Sequence, residues 1–196
     1  MGGKARGRRL TTLDGDATRP TQGKVREALF NILQAWVPGG AWLDLFAGSG
    51  AVGLEAASRG ARRVVVVERA RPALAVIAAN VRATGLQVEV LPLEVEAAVT
   101  RLAGTPFDVV FLDPPYALDP LPLITRIDAA GLVAPTGRLV LEHDARREAP
   151  ARLARLARLS TRRYAGTALS LYAPADAAGE AVAGAGKGSE GGSRAP

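Results

Sequence analysis

Short apolar runs alternate with helical stretches through most of this chain, and that alternation restricts it to very few folds. The runs are Trp42-Leu43-Asp44-Leu45-Phe46-Ala47, Val64 to Val67, Gln87 to Leu91, Phe107 to Leu112 and Arg138 to Glu142. Between them, Ala51 to Arg59, Ala70 to Ala83, Glu94 to Leu102 and Leu121 to Ala130 read as helices, as does Gln22 to Leu33 ahead of the first run, with Thr21 as its N-cap. Strands alternating with helices in this way build a doubly wound, mostly parallel sheet. After Pro150 the pattern changes. Leu153 to Arg163 and Thr167 to Tyr172, separated by Tyr164-Ala165-Gly166, predict an antiparallel hairpin at one sheet edge, although Arg152, Arg155 and Arg158 leave a helical start open for its first half. Three segments follow: a basic arm over 1–20, one domain over 21–172, and a tail over 173–196 whose Ala/Gly/Ser-rich composition predicts disorder.

Composition narrows the chemistry. With no cysteine and one histidine in 196 residues, thiolate and multi-histidine metal sites are excluded. No apolar run is long enough to span a bilayer and no apolar core follows the basic N-terminus, so the expected compartment is the cytoplasm. A net charge of +6 points to a polyanionic partner. Lys4, Arg6, Arg8 and Arg9, set among glycines, form an arm able to reach phosphates; a plain solvated terminus is the competing reading.

The fourth apolar run ends in Asp113-Pro114-Pro115-Tyr116. Neither proline carries an N–H, so the sheet ladder cannot continue, and the residue before each is kept out of the helical region. The result is a rigid lip at the carboxyl end of a strand, where open α/β sheets bind ligands. A carboxylate and a backbone carbonyl there can accept both hydrogens of a planar NH2 group, and the Tyr116 ring can stack on a base face.

A second motif lies behind the first run. Gly48-Ser49-Gly50-Ala51-Val52-Gly53 opens a helix, and Glu68 ends the next strand, as in a dinucleotide-binding fingerprint. Both a nicotinamide cofactor and S-adenosylmethionine present an adenosyl ribose to such a residue. Asp44 separates the two readings: a carboxylate is awkward beside a pyrophosphate and suits an ammonium. Glu94, opening the helix after the third strand, is placed to meet an adenine amino group. The Asp-Pro-Pro-Tyr lip has no evident part in hydride transfer. The methyl-donor reading is favoured, and an NAD-dependent oxidoreductase is its rival.

With both motifs in view, the chain resembles a class I S-adenosylmethionine-dependent methyltransferase of Rossmann-like fold, and more narrowly the bacterial 16S ribosomal RNA guanine-N2 methyltransferase family. The resemblance is carried by Gly2-Gly3-Lys4-Ala5-Arg6-Gly7-Arg8, by Arg19-Pro20-Thr21 with Lys24 to Asn31, by Asp44 to Gly50 with Gly53-Leu54-Glu55-Ala56 and Ser58-Arg59-Gly60-Ala61, and by Asp113 to Tyr116. It implies a seven-stranded sheet with an antiparallel edge hairpin, S-adenosylmethionine as cofactor, and 16S rRNA or the small ribosomal subunit as partner; nothing in the sequence demands more than a monomer. By the same resemblance, Asp44, Phe46, Gly48, Ser49 and Gly50 hold the methionine end, Glu68 the ribose and Glu94 the adenine region, while Arg19, Thr21 and Arg26 pack over the pocket. Asp113, Pro114, Pro115 and Tyr116 become the catalytic set, and Arg19 joins Lys4, Arg6, Arg8 and Arg9 as RNA contacts. Glu94 replaces a more usual Asp, and Ala5 a frequent aromatic. Adenine-N6 and glutamine-N5 are also planar amines, so an N6-adenine methyltransferase stays open on geometry, as does a non-catalytic RNA-binding module. His143 receives no role.

Overall fold

The computed structural model describes residues 1–13 and 20–176, the side chains of residues 20–22 excepted. Seven strands form a single sheet: β1 (Ala41–Leu45), β2 (Arg63–Val67), β3 (Glu89–Leu91), β4 (Phe107–Leu112), β5 (Val133–Asp144), β6 (Leu156–Tyr164) and β7 (Thr167–Pro174). Their spatial order is β3-β2-β1-β4-β5-β7-β6. The first five run parallel, and β7 lies antiparallel between β5 and β6. This is the expected mixed sheet with its antiparallel edge. Helices α1 (Pro20–Ile32), α2 (Ala51–Ser58), α3 (Arg71–Thr84), α4 (Val95–Arg101) and α5 (Leu121–Ala129) flank it.

Side chains alternate between two cores because successive strand residues point to opposite faces. Leu43, Leu45, Val110, Leu112, Leu139 and Leu141 pack against α4 and α5 through Val99, Ile124 and Ile127. Trp42, Val64, Val66, Val109, Phe111 and Val140 pack against Leu29 and Phe30 of α1, Leu33 just after it, and Ile77 of α3. Asp44 falls on this second face, a carboxylate on an otherwise apolar surface at the carboxyl end of β1. β1 and β4 are direct neighbours, with Leu45 opposite Leu112, so the glycine turn and the Asp-Pro-Pro-Tyr lip leave the sheet side by side. The strand order reverses at this point, the place where such sheets open a crevice for ligands.

Several boundaries differ from the sequence expectation. β5 begins at Val133 rather than Arg138, and its partnering with β4 shifts register between Phe107 and Val109. That irregularity carries Pro135 and Gly137 into the strand, which periodicity could not show. β6 has no helical start. Its approach is fastened by an Arg152–Ala157 bridge, by Leu153 N–H donating to the Leu156 carbonyl, and by Arg155 N–H donating to buried Asp128. α1 begins at Pro20, so Thr21 lies inside the first turn instead of capping it. β7 continues through Ala173 and Pro174, two residues assigned to the tail; residues 177–196 fall outside the described residues.

The basic arm lies along α2. A 3-10 turn at Gly3–Ala5 buries Ala5, whose N–H donates to Ser58 Oγ (2.8 Å), while the Ser58 hydroxyl donates to the Gly2 carbonyl (2.6 Å). Gly2 N–H donates to Oε1 of buried Glu55, which also pairs with Arg59 (2.8 Å). Further on, Thr11 exchanges backbone bonds with the Asn80 side chain, and Asn80 Nδ2 also donates to the Ser49 carbonyl of the glycine turn. Gly3 has φ +65°, and a Cβ there would stand 2.1 Å from the Ser58 carbonyl oxygen. Gly3→Ala is therefore expected to undock the arm at a cost of about 1–3 kcal/mol, leaving the sheet intact. Amide hydrogen exchange checks this: residues 2–11 should exchange roughly 10- to 100-fold faster than in the parent, a factor set by that same cost, with β1 and β4 unchanged.

Candidate active site

A cavity of about 680 Å³ opens where β1 and β4 end. Its floor is the turn after β1. Phe46 adopts φ +65°, a conformation costing a non-glycine residue on the order of 1–3 kcal/mol, and such strain collects at functional turns. Gly48 follows with φ +54°, and no atom lies within 4 Å of the position its Cβ would take, so the backbone stays open to a ligand. Gly53, one turn into α2, has the opposite constraint. A Cβ there would meet Val66 Cγ1 at 2.4 Å, so only glycine lets α2 sit this close to the sheet.

That close approach delivers the Gly53 N–H to Asp44 Oδ2 at 2.8 Å. Asp44 is 1% exposed. Burial pushes its carboxyl up to about 8 against the pull of the Gly53 bond, and the charges of Asp113 and Glu68 add to the rise. Glu142, near the end of β5, lines the same cavity and is likewise pushed up to about 8, first by burial and then by Asp113. Arg26 of α1 lines the cavity as well, 3.7 Å from Glu55.

Across the opening stand Asp113, Pro114, Pro115 and Tyr116. The Tyr116 ring is 44% exposed, and its hydroxyl is held 2.8 Å from Thr167 Oγ1 at the start of β7. The turn Ala165-Gly166 between β6 and β7, with Ala165 at φ +53°, forms part of the same wall. The edge hairpin therefore contributes to the site as well as closing the sheet.

The structure gathers Asp44, Phe46, Gly48, Ser49, Arg26 and the Asp-Pro-Pro-Tyr lip around one cavity. Gly50 (φ +76°) shapes the turn from behind, packed near Ile77. Glu68 stands beside the turn, its Oε2 accepting from Gly48 N–H (2.9 Å) and its Oε1 from the N–H groups of Arg69 and Ala70. Glu94 is the N-cap of α4, half exposed and paired with Arg69 at 2.8 Å, outside the cavity wall. Lys4, Arg6 and Arg9 are exposed on the arm, and Arg8 donates to the Ala83 carbonyl at the end of α3. Arg19 and the Thr21 side chain lie outside the described residues. His143 is buried, bonded to the Asp144 carbonyl and Ser170 Oγ, as a core histidine would be.

Sequence reasoning missed Thr12, Glu142, Thr167 and the hairpin turn, all of which line the cavity. Glu142 carried one readable signal, a carboxylate ending an apolar run as Glu68 does.

A sequence model of the family described as conserved hypothetical protein 95 matches residues 1–173. The Bacillus subtilis (strain 168) protein named "Putative rRNA methyltransferase YlbH" is 36% identical over 177 residues, which is 88% of this chain and 96% of that protein. Ribosomal RNA small subunit methyltransferase D of Escherichia coli (strain K12) is 40% identical over 118 residues, 59% of each chain. Among solved structures, the Escherichia coli protein described as "Putative methyltransferase yhhF" superposes with a TM-score of 0.78 at 30% identity, covering 89% of this chain and 96% of that one. The fold is that of class I methyltransferases. From the docked arm to the last strand, this chain belongs to the conserved hypothetical protein 95 family.

Proposed function

We propose that this protein transfers a methyl group from S-adenosylmethionine to the exocyclic N2 of a guanine in 16S ribosomal RNA, acting as a monomer in the cytoplasm. Methyl transfer to ribosomal RNA is the coarser part of this reading, supported by family membership and by what the relatives are named for. The observation that carries it is the shared cavity: the Asp113-Pro114 lip and the open turn at Asp44 and Gly48 face one space. The donor set fits the cofactor, because buried carboxylates complement a sulfonium and an ammonium where they would repel a pyrophosphate. Asp44, Phe46, Gly48 and Ser49 would hold the methionine end, with Glu68 beside the ribose. Glu94 is assigned to the adenine region, which requires it to leave Arg69. Thr21 and Arg26 would cover the pocket.

S-adenosylmethionine supplies an already electrophilic methyl carbon, so the protein's task is alignment and exclusion of water. The lone pair of guanine N2 is delocalised into the ring. Asp113 and the Pro114 carbonyl, as acceptors for its two hydrogens, favour a pyramidal amine whose lone pair is free to attack. Their attraction grows as the nitrogen becomes positive, so it acts on the transition state more than on bound substrate. Asp113 then takes the departing proton. Tyr116 stacks on a base drawn out of its helix. The bond from Tyr116 to Thr167 fixes the angle of that ring. Tyr116→Phe keeps the stacking face and loses the bond, so kcat/KM should fall by roughly 2- to 5-fold, consistent with one exposed neutral hydrogen bond. Steady-state kinetics measure this, and an unchanged value would mean that the hairpin does not set the ring.

Lys4, Arg6, Arg9 and Arg19 are proposed to contact RNA phosphates. Arg8 is too, through the part of its guanidinium not bonded to Ala83. The reading is tested by offering small subunits lacking the modification, naked 16S RNA and DNA side by side with labelled S-adenosylmethionine. Label in subunits or their RNA supports it, and label in DNA alone moves the function to an adenine methyltransferase. Thermal stabilisation by NAD without stabilisation by S-adenosylmethionine would revive the oxidoreductase.

A further inference from the structure

Glu142 is the ionisable group of the cavity that the reaction above leaves without a task. β5 lies next to β4, with Leu141 opposite Leu112, so Glu142 stands beside the strand end that carries Asp113, and both line the same cavity. Around that space, β1 contributes Asp44, α1 contributes Arg26, and the lip contributes Asp113 and Tyr116. The facing stretch of β7, Thr167 to Ser170, offers no ionisable side chain. His143, next in sequence, is bonded to Ser170 in the core. A second carboxylate this close to Asp113 raises the cost of ionising either one. A hydrogen-bond donor on the ligand offsets that cost.

Guanine has such a donor and adenine lacks it. Next to the amine-bearing carbon of guanine lies N1–H; next to that of adenine lies N1 with a bare lone pair. We infer that Glu142 selects guanine, accepting the N1–H of the extruded base while Asp113 and the Pro114 carbonyl hold the N2 amine. The inference rests on the guanine-N2 reading above. Glu142, held largely protonated at neutral pH in the free protein, ionises as the base binds, because a hydrogen bond to the charged form favours it. Adenine in the same place would set a lone pair against the carboxylate once it is ionised, an unpaired contact of the kind by which polar sites reject analogues; the protonated acid, present below about pH 8, can instead donate to that lone pair.

The probe is 2-aminopurine, which keeps the reactive 2-amine of guanine but has a lone pair at N1. RNA substrates carrying guanine, 2-aminopurine or adenine at the mapped target position are compared by kcat/KM. Above about pH 8, where Glu142 is ionised in the free protein, the parent should prefer guanine over 2-aminopurine by about 10- to 100-fold, as expected for a hydrogen bond to a charged group. In Glu142→Gln the amide can donate to the bare N1, and the preference should fall to within about threefold. Affinity for S-adenosylmethionine and melting temperature serve as controls for the variant's fold. The parent protein provides a second measurement: its preference for guanine over 2-aminopurine should rise with pH up to about 8, as free Glu142 loses its proton. A full preference retained in Glu142→Gln, or a preference flat with pH, overturns the inference while N2-methylguanosine from the parent leaves the function standing. Methylated adenine, or no transfer by the parent, removes both.

Discussion

Replacing Asp113 by Ala should lower kcat by about 10²- to 10³-fold, the loss typical of removing one transition-state hydrogen-bonding group. The fold should survive, because Asp113 is exposed and sits beyond the last ladder residue of β4. Affinity for S-adenosylmethionine should change by no more than a few-fold, since the glycine turn and Asp44 remain. Asp113→Asn should resemble the alanine variant closely. Its amide keeps one acceptor but loses the charge, and it turns donor hydrogens toward an amine that is itself a donor. Removing the Asp113 charge also relieves Asp44 and Glu142, so both carboxyls should titrate lower in either variant. Single-turnover kinetics with saturating cofactor isolate the chemical step. Near-parental turnover in a folded Asp113→Ala would contradict the acceptor role.

Asp44→Asn should have effects of opposite sign with and without cofactor. In the free protein the Asp44 carboxyl is raised to about 8 from an ordinary value near 4, so the folded state holds a proton that the unfolded chain releases. The stability tied to that proton is fully present below the ordinary value and is lost as pH rises toward 8. Glu142 acts in the same direction over the same window. The free parent should therefore lose stability from about pH 4 to pH 8, and Asp44→Asn should remove part of that slope and melt above the parent at pH 9. Binding should behave the other way. A sulfonium or ammonium in the cavity favours the ionised carboxylate, so the parent should release a proton on binding S-adenosylmethionine at pH 7. Asp44→Asn should lose most of that release and about 10- to 100-fold in affinity, as when a charge-assisted hydrogen bond is removed. Calorimetry in buffers of different ionisation enthalpy reads both quantities.

Much of this site was legible because its parts are local. A strand stopped by two prolines, or a glycine turn opening a helix, is determined by a few neighbouring residues. Asp44 was readable for the same reason, standing alone among Trp42, Leu43 and Leu45. The mostly parallel sheet followed from the alternation of strands and helices, whereas the pairing of β1 with β4, which brings their ends together, is seen only in the structure. What escaped depends on distant pairing. Thr12 lines the cavity next to Thr11, which Asn80 of α3 clips to the body of the domain. Thr167 and the Ala165-Gly166 turn arrive because β7 inserts between β5 and β6, a register no single segment encodes. Glu94 shows the converse. Its position at the start of α4 was readable, but its pairing with Arg69 comes from the neighbouring strand end and holds it outside the cavity wall.

In the proposed reaction, the amine held by the Asp113-Pro114 lip is guanine N2. Small subunits lacking the modification are treated with the protein and labelled S-adenosylmethionine, their RNA is digested to nucleosides, and the labelled product is identified by mass spectrometry. N2-methylguanosine from a single position is the expected product. Label in N6-methyladenosine, or in ring-methylated guanosine whose methyl is not on the exocyclic amine, would contradict it.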